Sequence, residues 1–158
     1  SDHTRESKLS GKYLSLRGLP MLEDSAILKP LFVQVSLTFV LLFWMAKERF
    51  QAVKRGDVLI LDPGVRPIFK GRAGIISNAF HNQLEMPILF YVVVLIALRV
   101  EAVDGALVSL AWAYVGLRIV HALIHVTYNK ILHRFWVYAL SSLILIGLWG
   151  KVGSHLFI

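Results

Sequence analysis

The sequence has no cysteine and little charge: Asp, Glu, Lys and Arg together make up 17% of its 158 residues. Without cysteine there are no disulfides, thiolate metal sites, iron–sulfur clusters or cysteine nucleophile, so any thiol chemistry must use a thiol carried in by a substrate. The scarcity of charge is at odds with a water-soluble domain, in which about a quarter of residues are charged. Acidic residues are the scarcer sign, 10 against 17 Lys and Arg. The resulting formal net charge of +7 would suit nucleic acid. Basic residues flanking apolar spans are, however, what membrane insertion itself selects, and nucleic acid is not an expected partner. No internal repeat, low-complexity tract or signal-peptide core with a small-residue cleavage site is visible.

What is present is apolar, 56% of residues, with a mean hydropathy of +0.64, and it is gathered into long uncharged runs. Crossing a bilayer core as helix takes about 20 residues. Runs over 27–46, 74–98 and 106–126 meet that length. A fourth, 135–150, is shorter, but an apolar tail follows Lys151, and Arg134 can snorkel to the interface. These runs predict an all-α integral membrane protein, a bundle of four transmembrane helices in a single domain over 21–158. Residues 1–20 are polar and weakly patterned and read as a flexible tail or a leader. Lys47, Arg49, Lys54, Arg55, Arg66, Lys70 and Arg72 fall in the long first loop, Lys130 and Arg134 in the third, and Arg99 alone in the second. Loops one and three are therefore expected on the cytoplasmic side, in a bacterial inner membrane.

Polar residues inside the spans fall at helical spacing. Asn78, Asn82 and Glu85 recur at i, i+4 and i+7 in the second span, and Arg118, His121 and His125 at i, i+3 and i+7 in the third, with Tyr114 one turn before. Arg134 and Tyr138 share a face at the start of the fourth. Three such stripes can line one polar cavity, because intramembrane charges face a bundle interior or a wet cleft. A purely structural reading pairs Glu85 with Arg118 and leaves the amides and imidazoles to helix packing. The excess of donors in Arg118, His121, His125 and Arg134 favours an anionic guest instead. A metal is not expected, since Arg118 stands one turn from His121 and repels a divalent cation, and the stripes hold no second carboxylate. His81 lies off the stripe and suits a lipid headgroup or packing, His133 and His155 suit the interface, and Ser141, Ser142 and Gly147 suit close helix packing.

In this order and spacing the residues resemble a family, the membrane-associated proteins in eicosanoid and glutathione metabolism (MAPEG), which includes microsomal glutathione transferases, leukotriene C synthase and microsomal prostaglandin E synthase. The resemblance rests on Asn82-x-x-Glu85 followed by Pro87, on Arg118-x-x-His121, on Arg134-x-x-x-Tyr138, and on the 16 residues separating the two arginines. The segment Leu84-Glu85-Met86-Pro87 looks closest to bacterial members. The family likeness implies a homotrimer that binds glutathione, as co-substrate, between helices of adjacent subunits near the cytoplasmic face. It implies that Asn82 and Glu85 hold the amino end of the tripeptide, that Arg118 and His121 shape the site, that Tyr138 lies near the ligand, and that Arg134 is the catalytic residue facing the thiol. Asn78 and His125 complete the expected binding set. A guanidinium beside the sulfur stabilises the thiolate, which is the nucleophile. The second substrate is expected to be a lipophilic electrophile or hydroperoxide arriving from the lipid bilayer, making the protein a glutathione-dependent transferase or peroxidase. Asn78 and His81 replace arginines of the better-known eicosanoid enzymes, and His125 replaces a tyrosine. The alternative is therefore a non-catalytic accessory subunit of a larger membrane protein complex.

Overall fold

The structure, a computed structural model, describes residues 25–60 and 64–157 in full and residues 3–24 as backbone only. The expected tail or leader over 1–20 lies outside the fully described residues. In chain order the elements are α1 (His3–Arg55), β1 (Val58–Leu59), β2 (Ile68–Phe69), α2 (Gly71–His81), a 3₁₀ turn (Asn82–Leu84), α3 (Met86–Arg99), α4 (Gly105–Val126) and α5 (Ile131–Phe157). Four stretches are long and apolar enough to cross a membrane: Ser25–Arg55, Gly71–Arg99, Gly105–Val126 and Ile131–Phe157. This is the architecture of a multi-pass membrane protein.

Three boundaries differ from the sequence expectation, each for a local reason. The first helix does not end near residue 46 but continues to Arg55, because nothing in 47–55 breaks a helix. It stops at Gly56, whose φ of +73° only glycine adopts readily. There Gly56 N–H donates to Val53 O at 3.1 Å and Asp57 N–H to Ala52 O at 2.9 Å, the paired bonds of a Schellman cap. The long loop thereby shrinks to residues 56–70 and closes as a hairpin, with Val58 opposite Phe69 and Leu59 opposite Ile68. The second span is not one helix. Pro87 near the start of α3 has no N–H to continue the α2 ladder, and Glu85 just before it has φ −96° and ψ −103°, outside the helical region. The fourth helix is longer than expected, taking in Arg134 in its first turn and the apolar tail at its end.

Side chains of α1, α3, α4 and α5 form one buried cluster that includes Ile27, Phe90, Leu107, Tyr114 and Leu148, with Phe90 stacked on Tyr114 at 4.7 Å. A second cluster, including Leu41, Ile76, Ala79 and Ala122, joins α1, α2 and α4. The outward faces are equally apolar: Phe43 is 70% exposed, Trp136 64% and Ile146 66%. Such surface is costly in water and neutral in hydrocarbon, so the bilayer is the solvent this surface fits. At the α3–α4 turn, the Asp104 carboxylate accepts from Leu107 N–H at 2.8 Å, capping α4, and meets Lys151 Nζ of α5 at 2.8 Å.

Candidate functional site

The polar interior is built around the break in the second span. At that break the main-chain carbonyl of Asn82 accepts a hydrogen bond from Arg118 Nη2 of α4 at 2.7 Å. Arg118 is fully buried, and its Nε and Nη1 have no hydrogen-bond partner among the described residues. Its guanidinium carbon lies 5.9 Å from the centre of the Tyr138 ring. His121, one turn on from Arg118 and buried, has its ring 5.9 Å from Tyr138 and 6.1 Å from His125, which is also buried. The i, i+3, i+7 spacing of Arg118, His121 and His125 thus does on α4 what it predicts, placing all three on the inward face.

Arg134 enters from α5. Its Nη1 donates to Asn129 Oδ1 at 2.7 Å, and Asn129 itself sits at φ +49° in the turn before the helix, a left-handed conformation that asparagine tolerates better than most residues. The side chain that orients the guanidinium is therefore fixed by the turn that carries it. Between Arg134, Tyr138, His121 and Asn82 lies a cavity of about 270 Å³, with Ile131 and Phe135 lining its apolar side. Those two are 80% and 57% exposed, so the cavity opens at the outer face of the bundle.

On residues that line this cavity, Arg134 Nε and His121 Nδ1 are buried and unpartnered among the described residues, as are Arg118 Nε and Nη1 and both ring nitrogens of His125 on the same inward face of α4. Each such group costs about 1–3 kcal/mol if left unsatisfied, and folded proteins keep few of them. Two guanidiniums among them, neither in an ion pair among the described residues, fit an anionic guest. Among the described residues no three His, Asp or Glu side chains gather as metal ligands do.

Asn82, Arg118, His121, His125, Arg134 and Tyr138 are brought together; Asn78 and Glu85 are not. Both are exposed on the single chain. The break after His81 takes Glu85 out of the helical register of Asn78 and Asn82, and no carboxylate, Glu85 included, forms an ion pair with Arg118 among the described residues. Asn78 lines a different cleft, with Arg49 and His81. Ser141 and Ser142 both donate to Tyr138 O, at 2.8 and 2.9 Å, steadying the backbone that carries the phenol. Around Gly147 an added Cβ would meet nothing within 4 Å, so the expected close packing does not occur there within one chain. Two contributors escaped the sequence reading. Asn129 carried a signal, a left-handed-tolerant residue just ahead of a helix start. The buried Gln34 Nε2–Gln83 Oε1 bond of 2.9 Å joins residues 49 apart and had none beyond the polarity of Gln34 in an apolar run.

A model of the MAPEG family matches residues 27–154, most of the chain. No curated protein and no solved structure matches it.

Proposed function

The chain belongs to the MAPEG family, and from that premise we propose that it is a membrane-bound, glutathione-dependent transferase or peroxidase whose thiol-activating residue is Arg134. The observation that carries this reading is the pair of guanidiniums, Arg134 lining a cavity with Tyr138, His121 and Asn82 and Arg118 buried beside it, that keep unpartnered nitrogens among the described residues. Glutathione is a peptide of net negative charge, more so as the thiolate, and it supplies the acceptors that Arg118 and Arg134 lack. The guanidinium of Arg134, held by Asn129, stabilises the thiolate over the thiol; each unit by which it lowers the thiol pKa is worth about 1.4 kcal/mol. The thiolate then attacks a lipophilic electrophile, forming a carbon–sulfur bond as the leaving group departs. With a hydroperoxide it takes the terminal oxygen, giving an alcohol and a sulfenic acid, and a second glutathione converts the latter to glutathione disulfide and water. The apolar mouth at Ile131 and Phe135 suits a second substrate delivered from the bilayer.

We also propose a homotrimer, which membership of the family implies. The cavity is open on the single chain, and a neighbouring copy would add a further wall, with the exposed Glu85 and Asn78 as candidates to face a neighbour's ligand. Turnover tests the reading: purified protein in detergent, given glutathione with an aryl halide or an organic hydroperoxide, should consume both, and Arg134→Ala should lower the rate by about 10²- to 10³-fold while eluting as the wild type does. Equal turnover by the variant would refute the role of Arg134.

The exposure of Asn78 and Glu85 favours a second reading, a non-catalytic subunit of a larger membrane complex. It predicts no binding of glutathione and damage to assembly from Glu85→Ala.

A further inference from the structure

A second cleft, sharing no residue with the first, lies between the hairpin and the start of α2, with a volume of about 440 Å³. Arg49 of α1 and Arg66 of the hairpin both line it, with Ser77, Asn78 and His81 along α2 and Phe69 on the hairpin side. The neighbouring arginines are neutralised: Arg55 pairs with Asp57 at 3.0 Å and Arg72 with Glu48 at 3.4 Å. Among the described residues, Arg49 and Arg66 form no ion pair and no carboxylate lines the cleft.

Arg49 is held as a receptor group is held. Its Nε donates to Ser77 Oγ at 2.9 Å, and its guanidinium lies 4.7 Å from the centre of the Phe69 ring. One edge of the fork is thus fixed, and the other has no partner among the described residues. His81 is fixed too, with Nδ1 donating to Ser77 O at 2.6 Å. Two guanidiniums facing one cavity match an anion with several oxygens better than they match each other, and the planar fork fits phosphate bidentately.

The hairpin fixes the depth at which this cleft opens. Leu59, Ile60, Val65 and Ile68 expose 42%, 72%, 54% and 48% of their surface, while Arg66 and Lys70 stand among them. An apolar, basic segment at the end of a membrane-crossing helix rests in the headgroup layer, where lipid phosphate is the most concentrated anion. We propose that this cleft is a phosphate site, clamped by Arg49 and Arg66, that takes the headgroup of an anionic phospholipid. The cleft does not contain Arg134, but it does contain Asn78, which the family likeness places in the glutathione set, so glutathione enters the test as a competitor.

Native mass spectrometry of the purified protein, offered phosphatidylglycerol or phosphatidylcholine, tests it, with inorganic phosphate added in a separate arm. The wild type should retain phosphatidylglycerol about tenfold more than phosphatidylcholine. Arg66→Gln, on the exposed hairpin and so without effect on folding, should abolish the preference, and Arg49→Lys should weaken it. A stabilising response to inorganic phosphate that needs Arg66, without a lipid preference, would support the phosphate site and assign its source to the free anion. Equal retention of both lipids with no Arg66-dependent response to phosphate would overturn the proposal. So would displacement of the lipid by glutathione, since the cleft would then belong to the tripeptide.

Discussion

Arg118 is wholly buried, yet its one hydrogen bond among the described residues goes to a backbone carbonyl. A buried cation that forms no ion pair carries an uncompensated desolvation cost. Arg118→Met removes the buried charge but also the donor to Asn82 O, so the two effects offset and the thermal midpoint of the protein without ligand should change little, while the rise in midpoint on adding glutathione disappears; a large fall without ligand would mean that Arg118 serves the fold. Asn129 sets a finer test. Asn129→Gly keeps the left-handed backbone and removes only the acceptor for Arg134 Nη1, so the bound thiol should ionise at higher pH than in the wild type, by up to about one unit, with glutathione affinity little changed. Titrating thiolate absorbance in the two proteins measures this directly. Arg118, His121, Arg134 and Tyr138 were legible in the sequence because each stripe lies on one uninterrupted helix, where spacing translates into facing. Asn129 acts from a turn, where spacing has no such meaning.

At the scale of elements, the sequence spoke least clearly about the second span. Its hydropathy runs unbroken from α2 through α3, so a single helix with Glu85 on the polar face was the natural reading. Pro87 divides it, and the outcome depends on packing that no local pattern encodes: Arg118 of α4 takes up the carbonyl of Asn82 at the break. The hairpin was invisible for a related reason, since its strands are two residues each and rest against α2. Gly74 records that contact, for a Cβ there would clash with Phe69 O. Gly74→Ala should push the hairpin off α2, at a cost of about 1–3 kcal/mol, and raise protease cleavage within 56–70; unchanged cleavage would mean the hairpin does not pack there. The start of α4 depends on pH. The Lys151 ammonium and the Leu107 N–H hold the Asp104 carboxyl below its ordinary pKa. A folded-state pKa below the unfolded one means that the stabilisation is fully present above the unfolded value, about 3.9, and is lost as pH falls through the folded value. Asp104→Ala should cost about 1 kcal/mol at neutral pH and flatten the acid limb of the stability curve below pH ~4.

At the scale of the whole molecule, four apolar spans, a basic first loop and a motif set in fixed order were enough to read the membrane, the bundle and the family from sequence. The assembly was not, because an outward face rich in Phe, Leu and Ile looks the same whether lipid or another copy covers it. The homotrimer proposed from the family likeness is tested by native mass spectrometry in detergent, which should find three chains; full glutathione binding by a monomer would contradict a shared site. The central claim is that a guanidinium in this bundle makes a thiolate. Its most direct measurement is the ultraviolet thiolate difference spectrum of glutathione with the purified protein across pH, compared with Arg134→Ala and with free glutathione. A thiolate signal at a pH where free glutathione is mostly protonated, abolished by the substitution, is the predicted result. A spectrum that matches free glutathione at saturating concentration, or one that Arg134→Ala leaves unchanged, would contradict it.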